Sequence, residues 1–199
     1  MGLFNSEKMH PVQPALGLNP AFVRNEEETL VLRERVFSFT GDDFSVQDTK
    51  GRRIIKARAK LVSMHDSKEI LDANGNFLFK LRSKKLAIHK TFVAEDKGGV
   101  EVFRVSKHIS LTSRLEVDFT NASDGRKTSL TLTGNMFMGG AEIKWDGSQT
   151  VAKISKHHVS MREFVDDKQT YYVTVAPGVD LALIAAVCIC FDEIKHDGE

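Results

Sequence analysis

The chain has 199 residues, of which 41 % are hydrophobic and 28 % charged, and its formal net charge is +1. A chain of this length suits one domain, and this composition fills a buried core. The near-neutral balance argues against a dedicated nucleic-acid binder, which is as a rule strongly basic.

In chain order, residues 1–28 read as an irregular arm. They hold Pro11, Pro14 and Pro20, then the acidic Glu26, Glu27 and Glu28. Such a segment lies along a domain more readily than it forms one. Met1 to Val12 has no long apolar stretch of the kind a secretory signal needs, so an intracellular, cytoplasmic protein is expected. Met1-Gly2-Leu3-Phe4-Asn5-Ser6 matches the myristoylation pattern, which marks Gly2 as a lipidation candidate. The motif fixes few positions and also arises by chance.

From Thr29 to about Ala176 the dominant signal is period-two alternation, the mark of strands with one dry and one wet face. Ile55, Ala57, Ala59 and Leu61 alternate with Lys56, Arg58 and Lys60. Phe77, Phe79 and Leu81 alternate with Lys80 and Arg82. Leu115, Val117 and Phe119 alternate with Glu116 and Asp118, and Ala141, Ile143 and Trp145 with Glu142 and Lys144. Short Asp/Asn/Gly turns separate these runs at Asp48–Gly51, Asn74–Asn76, Lys97–Gly99, Asp124-Gly125 and Asp146-Gly147, as in a meander. A weak repeat of strand, Asp/Gly turn and Lys-bearing strand recurs from Val46, from Leu71 and from Ile143.

Pro177-Gly178 ends the last strand, and 179–194 reads as a helix with Asp180 in its first turn, where a negative charge suits the dipole. The run Leu181 to Phe191 is apolar on every side, so it must be surrounded. It falls well short of the roughly 20 residues that span a bilayer, so protein must surround it. A strand-rich domain around one apolar helix is a closed antiparallel β-barrel with the helix along its axis. Residues 29–196 are expected to form this single domain. Cys188 and Cys190, two apart on the helix, face different ways and cannot pair; they read as reduced core thiols.

The segment Tyr171 to Ile184, with Pro177-Gly178-Val179-Asp180-Leu181 at its centre, and its ending Phe191-Asp192-Glu193-Ile194 resemble the C-terminal signature of the LURP-one-related proteins. The hairpin Asp72 to Lys85 is also similar to that family. The resemblance covers about Thr29 to Ile194 and implies a tubby C-terminal-like fold, a mainly β barrel of about twelve strands threaded by the hydrophobic helix. Phospholipid scramblases are predicted to share that fold. The resemblance implies no catalytic residue. Tubby proteins bind phosphoinositides through basic residues on the barrel, but those positions cannot be matched here residue by residue.

The most pronounced charged feature is basic. Lys56, Arg58 and Lys60 share one strand face; Lys80, Arg82, Lys84, Lys85, His89 and Lys90 fall on another strand and its extension. If the two strands are neighbours, they make one stripe suited to phosphate. Lysine is also common on any wet strand face. His157-His158 on a strand would point to opposite faces, and no spacing supplies a four-ligand site, so no metal and no cofactor are expected. No nucleophile elbow, P-loop or HExxH motif is present, and the chain reads as no enzyme. The expected function is a non-catalytic binding module for phosphoinositide or an anionic phospholipid surface, peripheral at the membrane. The alternative is a protein-interaction scaffold or regulator in stress response or transcription. Scramblase-like transport is disfavoured, because no segment can span a bilayer.

Overall fold

The alternating segments pair in sequence order and close on themselves. The computed structural model describes residues 8–33, 44–59, 67–84, 91–107, 114–135, 140–155 and 170–196. Among these, twelve strands form one closed barrel: β1 (Glu28–Arg33), β2 (Phe44–Asp48), β3 (Arg53–Ala59), β4 (Ser67–Asp72), β5 (Phe77–Lys84), β6 (Thr91–Glu95), β7 (Glu101–Lys107), β8 (Arg114–Thr120), β9 (Lys127–Asn135), β10 (Gly140–Trp145), β11 (Gln149–Ser155) and β12 (Thr170–Val175). Each pairs antiparallel with its neighbours in sequence, and β1 closes the ring between β2 and β12. Closure removes the edge strands that an open sheet would present.

The inward positions are those the alternation marks. Ile55, Ala57, Phe79, Leu81, Leu115, Val117, Phe119, Ala141 and Ile143 are all buried, Phe77 and Trp145 at the ends of their strands are only half-buried, and Leu61 lies outside the described residues. The hairpin turns share one construction. Asp48, Asp72 and Asp96 stand 24 residues apart (48, 72, 96), each at the end of an even-numbered strand or just past it. The carboxylate of each accepts the N–H groups two and four residues on, at 2.8–2.9 Å. The glycine three residues after each Asp, Gly51, Gly75 or Gly99, takes a φ of 76, 90 or 79° and donates its N–H to the Asp carbonyl. Two units of the weak sequence repeat, those from Val46 and from Leu71, are thus one turn with a carboxylate as its template, and the Asp96 turn is a third copy that the repeat did not mark; the unit from Ile143 turns differently, with Asp146 (φ 46°) and Gly147 (φ 70°) both at positive φ. A bulge near the turn in β2–β3, β4–β5 and β6–β7 adds the twist that curving the sheet requires.

Helix α1 (Leu181–His196) fills the interior, and 181–192 is buried without a break. Sequence placed its start at Val179. Val179 and Asp180 instead form isolated bridges with Leu16 and Val23 of the arm, and the helix begins at Leu181. Asp180 is its N-cap: Oδ1 accepts the N–H groups of Ala182 at 2.8 Å and Leu183 at 3.1 Å. The arm crosses this end of the barrel with Val12 and Leu16 wholly buried. Val12 donates its N–H to Pro177, Leu16 to Gly178, and Ala122 to Gly17. The approach is close enough to demand glycine twice. A Cβ at Gly178 (φ 86°) would lie 2.3 Å from the Val12 carbonyl oxygen, and one at Gly17 (φ 150°) 2.1 Å from the Asp180 Cβ.

Candidate binding surfaces

The basic residues occupy the outside of β3, β4 and β5, but not as one stripe. β4 lies between β3 and β5, so the two rows stand two strand spacings apart, roughly 10 Å. Register then decides what fills the gap. Arg58 faces Glu69 of β4, Glu69 faces Lys80 of β5, and Lys80 faces Glu95 of β6. The rung therefore alternates in sign. Lys56 faces Leu71, which is buried. Arg82 is ion-paired with Glu95, and Lys84 is exposed opposite Thr91. The joining of the two rows into one stripe is thereby corrected: the condition that β3 and β5 be neighbours is not met. The hairpin read from Leu71 to Arg82 already contained the signal, because it inserts a strand before β5. Lys60, Lys85, His89, Lys90 and Gly2 lie outside the described residues, as do His157 and His158.

The wall nevertheless keeps a positive balance. Lys56, Arg58, Lys80, Arg82 and Lys84 project from it against Glu69. Its surface is the convex outside of a barrel, so these cations diverge from one another.

A second feature lies at the barrel mouth beside the arm. A cavity of about 390 Å³ is bounded by Leu18, Asn19 and Phe22 of the arm, Leu78 and Phe79 of β5, Glu101 and Val102 of β7, Thr120 of β8, and Asp180 and Ala182 at the helix start. Phe79 packs edge-on against Phe103, with ring centroids 5.1 Å apart, and forms part of the floor. Glu101 is held by Arg104, whose Nε and Nη2 donate at 2.9 and 2.7 Å. Asp180 is wholly enclosed. Its Oδ2 accepts the N–H groups of Leu18 at 3.0 Å and Asn19 at 2.9 Å, while Oδ1 caps the helix. Burial pushes its carboxyl above the usual carboxylate range, against the pull of these four N–H bonds. The group ties the arm to the helix. Sequence placed Asp180 at the helix start but gave no sign of its two bonds to the arm, which join residues 161 and 162 positions apart.

The barrel interior also holds a lysine that sequence reading passed over. Lys68 of β4 is fully buried, opposite Leu81 of β5. Its place two residues before the inward Ile70 was the available signal. Cys188 and Cys190 are buried thiols outside any disulfide; burial, with the Asp192 carboxylate added, pushes the Cys188 thiol far above its ordinary range. Among the described residues, no three His, Cys, Asp or Glu side chains are grouped to hold a metal ion, and no helix is long and apolar enough to cross a membrane.

Comparison with known proteins accords with this architecture. The family model described as LURP-one-related matches residues 28–192. A crystal structure of a protein from Arabidopsis thaliana superposes with a TM-score of 0.63 at 17 % identity, covering 91 % of this chain and 99 % of that one. At that identity the likeness concerns the fold. A search of curated proteins gives no significant match.

Proposed function

The chain belongs to the LURP-one-related family, and from that premise we propose that it is a non-catalytic module that docks on anionic membrane surfaces through the β3–β5 wall. The observation that carries this reading is the positive balance of that wall in a chain whose formal charge is only +1. Its shape selects among phosphate-bearing partners. A single phosphate is best held by donors that converge on it. Diverging cations on a convex wall suit many headgroups spread over a plane, each Lys or Arg contributing about 1 kcal/mol near an anionic leaflet. Phosphoinositide then serves as one source of surface charge among others. The carboxylates of the turns and the helix cap are occupied with backbone N–H groups, which supports a binding rather than a catalytic role.

Co-sedimentation with vesicles tests the reading. The expected result is binding to phosphatidylcholine vesicles containing phosphatidylserine, release at high salt, and little binding to phosphatidylcholine alone. Equal, negligible binding to both would sink it. A myristoyl group on Gly2 would supply a second contact, since one acyl chain alone gives marginal membrane binding. Intact-mass measurement on protein from its own cells decides that point, and an unmodified N-terminus removes the lipid from the proposal.

A further inference from the structure

We propose that the barrel-mouth cavity is a binding site for a small apolar organic cation, such as an arylalkyl-ammonium. Its volume of about 390 Å³ lies within the range of small-molecule pockets, roughly 300–1,000 Å³. Six of its lining residues are apolar: Leu18, Phe22, Leu78, Phe79, Val102 and Ala182. It opens beside a wider cleft of about 670 Å³ that shares Glu101, Val102 and Thr120 with it and provides access from solvent.

The charge of the ligand follows from what lines the site. A helix N-terminus is ordinarily ready for an anion, because its first N–H groups are unused. Here Asp180 consumes the N–H groups of Ala182 and Leu183 and, with its other oxygen, those of Leu18 and Asn19. The protein has filled its own anion site. No Lys, Arg or His lines the cavity, and its two ionisable groups, Asp180 and Glu101, are both carboxylates. Within the cavity a fatty acid or a phosphate would meet no cationic side chain: the Arg104 guanidinium is already engaged with Glu101, and Lys127 lines only the adjoining cleft. An ammonium would meet Glu101 at the rim, whose side chain is 38 % exposed. Each Glu101 oxygen accepts one bond from Arg104, which leaves further lone-pair capacity on the same carboxylate. The apolar body of the ligand would lie between Leu78, Val102 and Phe22, with its positive end at the rim.

Three probes sharing an indole separate the terms: tryptamine (cationic), tryptophol (neutral) and indole-3-propionate (anionic). They are titrated into the full chain, with amide chemical shifts and thermal melting as readouts. Tryptamine is expected to bind most tightly and to shift the amides of Leu78, Val102 and Ala182; tryptophol binds more weakly and the acid least. Glu101→Gln should weaken tryptamine by about fivefold, the upper range for an exposed ion pair, and leave tryptophol unchanged. Val102→Trp, which fills the cavity, should abolish binding of both. Should that variant not fold, the Glu101→Gln result decides alone. Binding of none of the three, acid binding as tight as the amine, or tryptamine affinity indifferent to Glu101→Gln each overturns the proposal. The wall shares β5 with the cavity, through Leu78 and Phe79, but it is read by vesicle binding, which none of these titrations measures.

Discussion

The turn end of the barrel and the β3–β5 wall use the same residue types in opposite ways. At the turn end Asp48, Asp72, Asp96 and Asp180 each accept two or more backbone N–H groups. On the wall Arg58, Glu69 and Lys80 succeed one another across strands on the outer face, with Glu95 of β6 next in the row. A hydrogen bond to a charged group contributes about 1.5–3 kcal/mol, and stranding a buried donor costs about 1–3 kcal/mol. An exposed ion pair contributes about 0–1 kcal/mol. Aspartate at the turn end therefore serves the fold, while charge on the wall costs the fold little and is open to selection for a partner. Substitutions should divide along the same line.

The largest effect is expected inside the barrel, where the turn end anchors the helix. Ile184 has 0 % exposure. Ile184→Asp places an uncompensated charge there, at a cost of several kcal/mol against a typical stability of about 5–15 kcal/mol. The variant should be unfolded or melt far below the parent by circular dichroism. A parent-like melt would mean that the helix is not enclosed.

Asp180→Ala comes next. It strands four N–H groups, two from the helix and two from the arm, and should cost about 3 kcal/mol or more. Asp180→Asn keeps one acceptor oxygen and should lose less. The arm amides of Leu18 and Asn19 should lose hydrogen-exchange protection more than strands such as β9. Uniform loss would show that the arm is not held through this group.

Much of this contrast was legible in the sequence. Period-two alternation located the strands that carry Ile55, Phe79, Val117 and Ile143 on their inner faces, because one dry face imposes that period. The all-apolar run 181–191 implied an enclosing barrel, since only surrounding protein can cover a helix on every side. Register was not legible. Which residue faces which across β3, β4 and β5 depends on bulges such as that between Ile70 and Leu71, and a bulge leaves no reliable compositional trace. For this reason the basic residues were recognisable one by one while Glu69 between them went unnoticed. The mouth cavity was hidden for a related reason: its walls come from positions 18 to 182, and no local pattern announces that they meet.

Acid sharpens the comparison at intermediate size. Burial pushes the Asp48 carboxyl up, but bonds from Arg52 and Lys50 outweigh it and hold the group below its ordinary value. A carboxylate whose folded value is depressed stabilises the fold fully above its unfolded value of about 3.9, and that contribution fades as pH falls through the folded value. Asp48→Asn should therefore melt below the parent near neutrality, and the gap should narrow as pH drops below about 4. Asp180 carries the opposite sign: its raised folded value means that stability is lost as pH rises from about 4 through that value. The two variants should thus show opposite trends against the parent across the acid range. Parallel trends would show that one of the two carboxyls is not perturbed as its surroundings require.

The smallest change in stability, and the most telling for function, should come from Glu69→Lys. Glu69 stands between Arg58 and Lys80 in the register of three adjacent strands. Reversing its charge turns an alternating rung into three neighbouring cations. Like charges directly opposite on a sheet destabilise by a few tenths to about 1 kcal/mol, so the melting point should fall only slightly. Binding should move the other way. The wall gains two units of positive charge, and at about 1 kcal/mol for each basic group near an anionic leaflet the affinity for phosphatidylserine vesicles should rise by about tenfold or more. That gain should vanish in high salt, where surface charges are screened. A site built for a single phosphate elsewhere would be indifferent to Glu69, because no convergent pocket would have changed. If Glu69→Lys binds anionic vesicles no better than the parent at low salt, the β3–β5 wall is not the membrane contact.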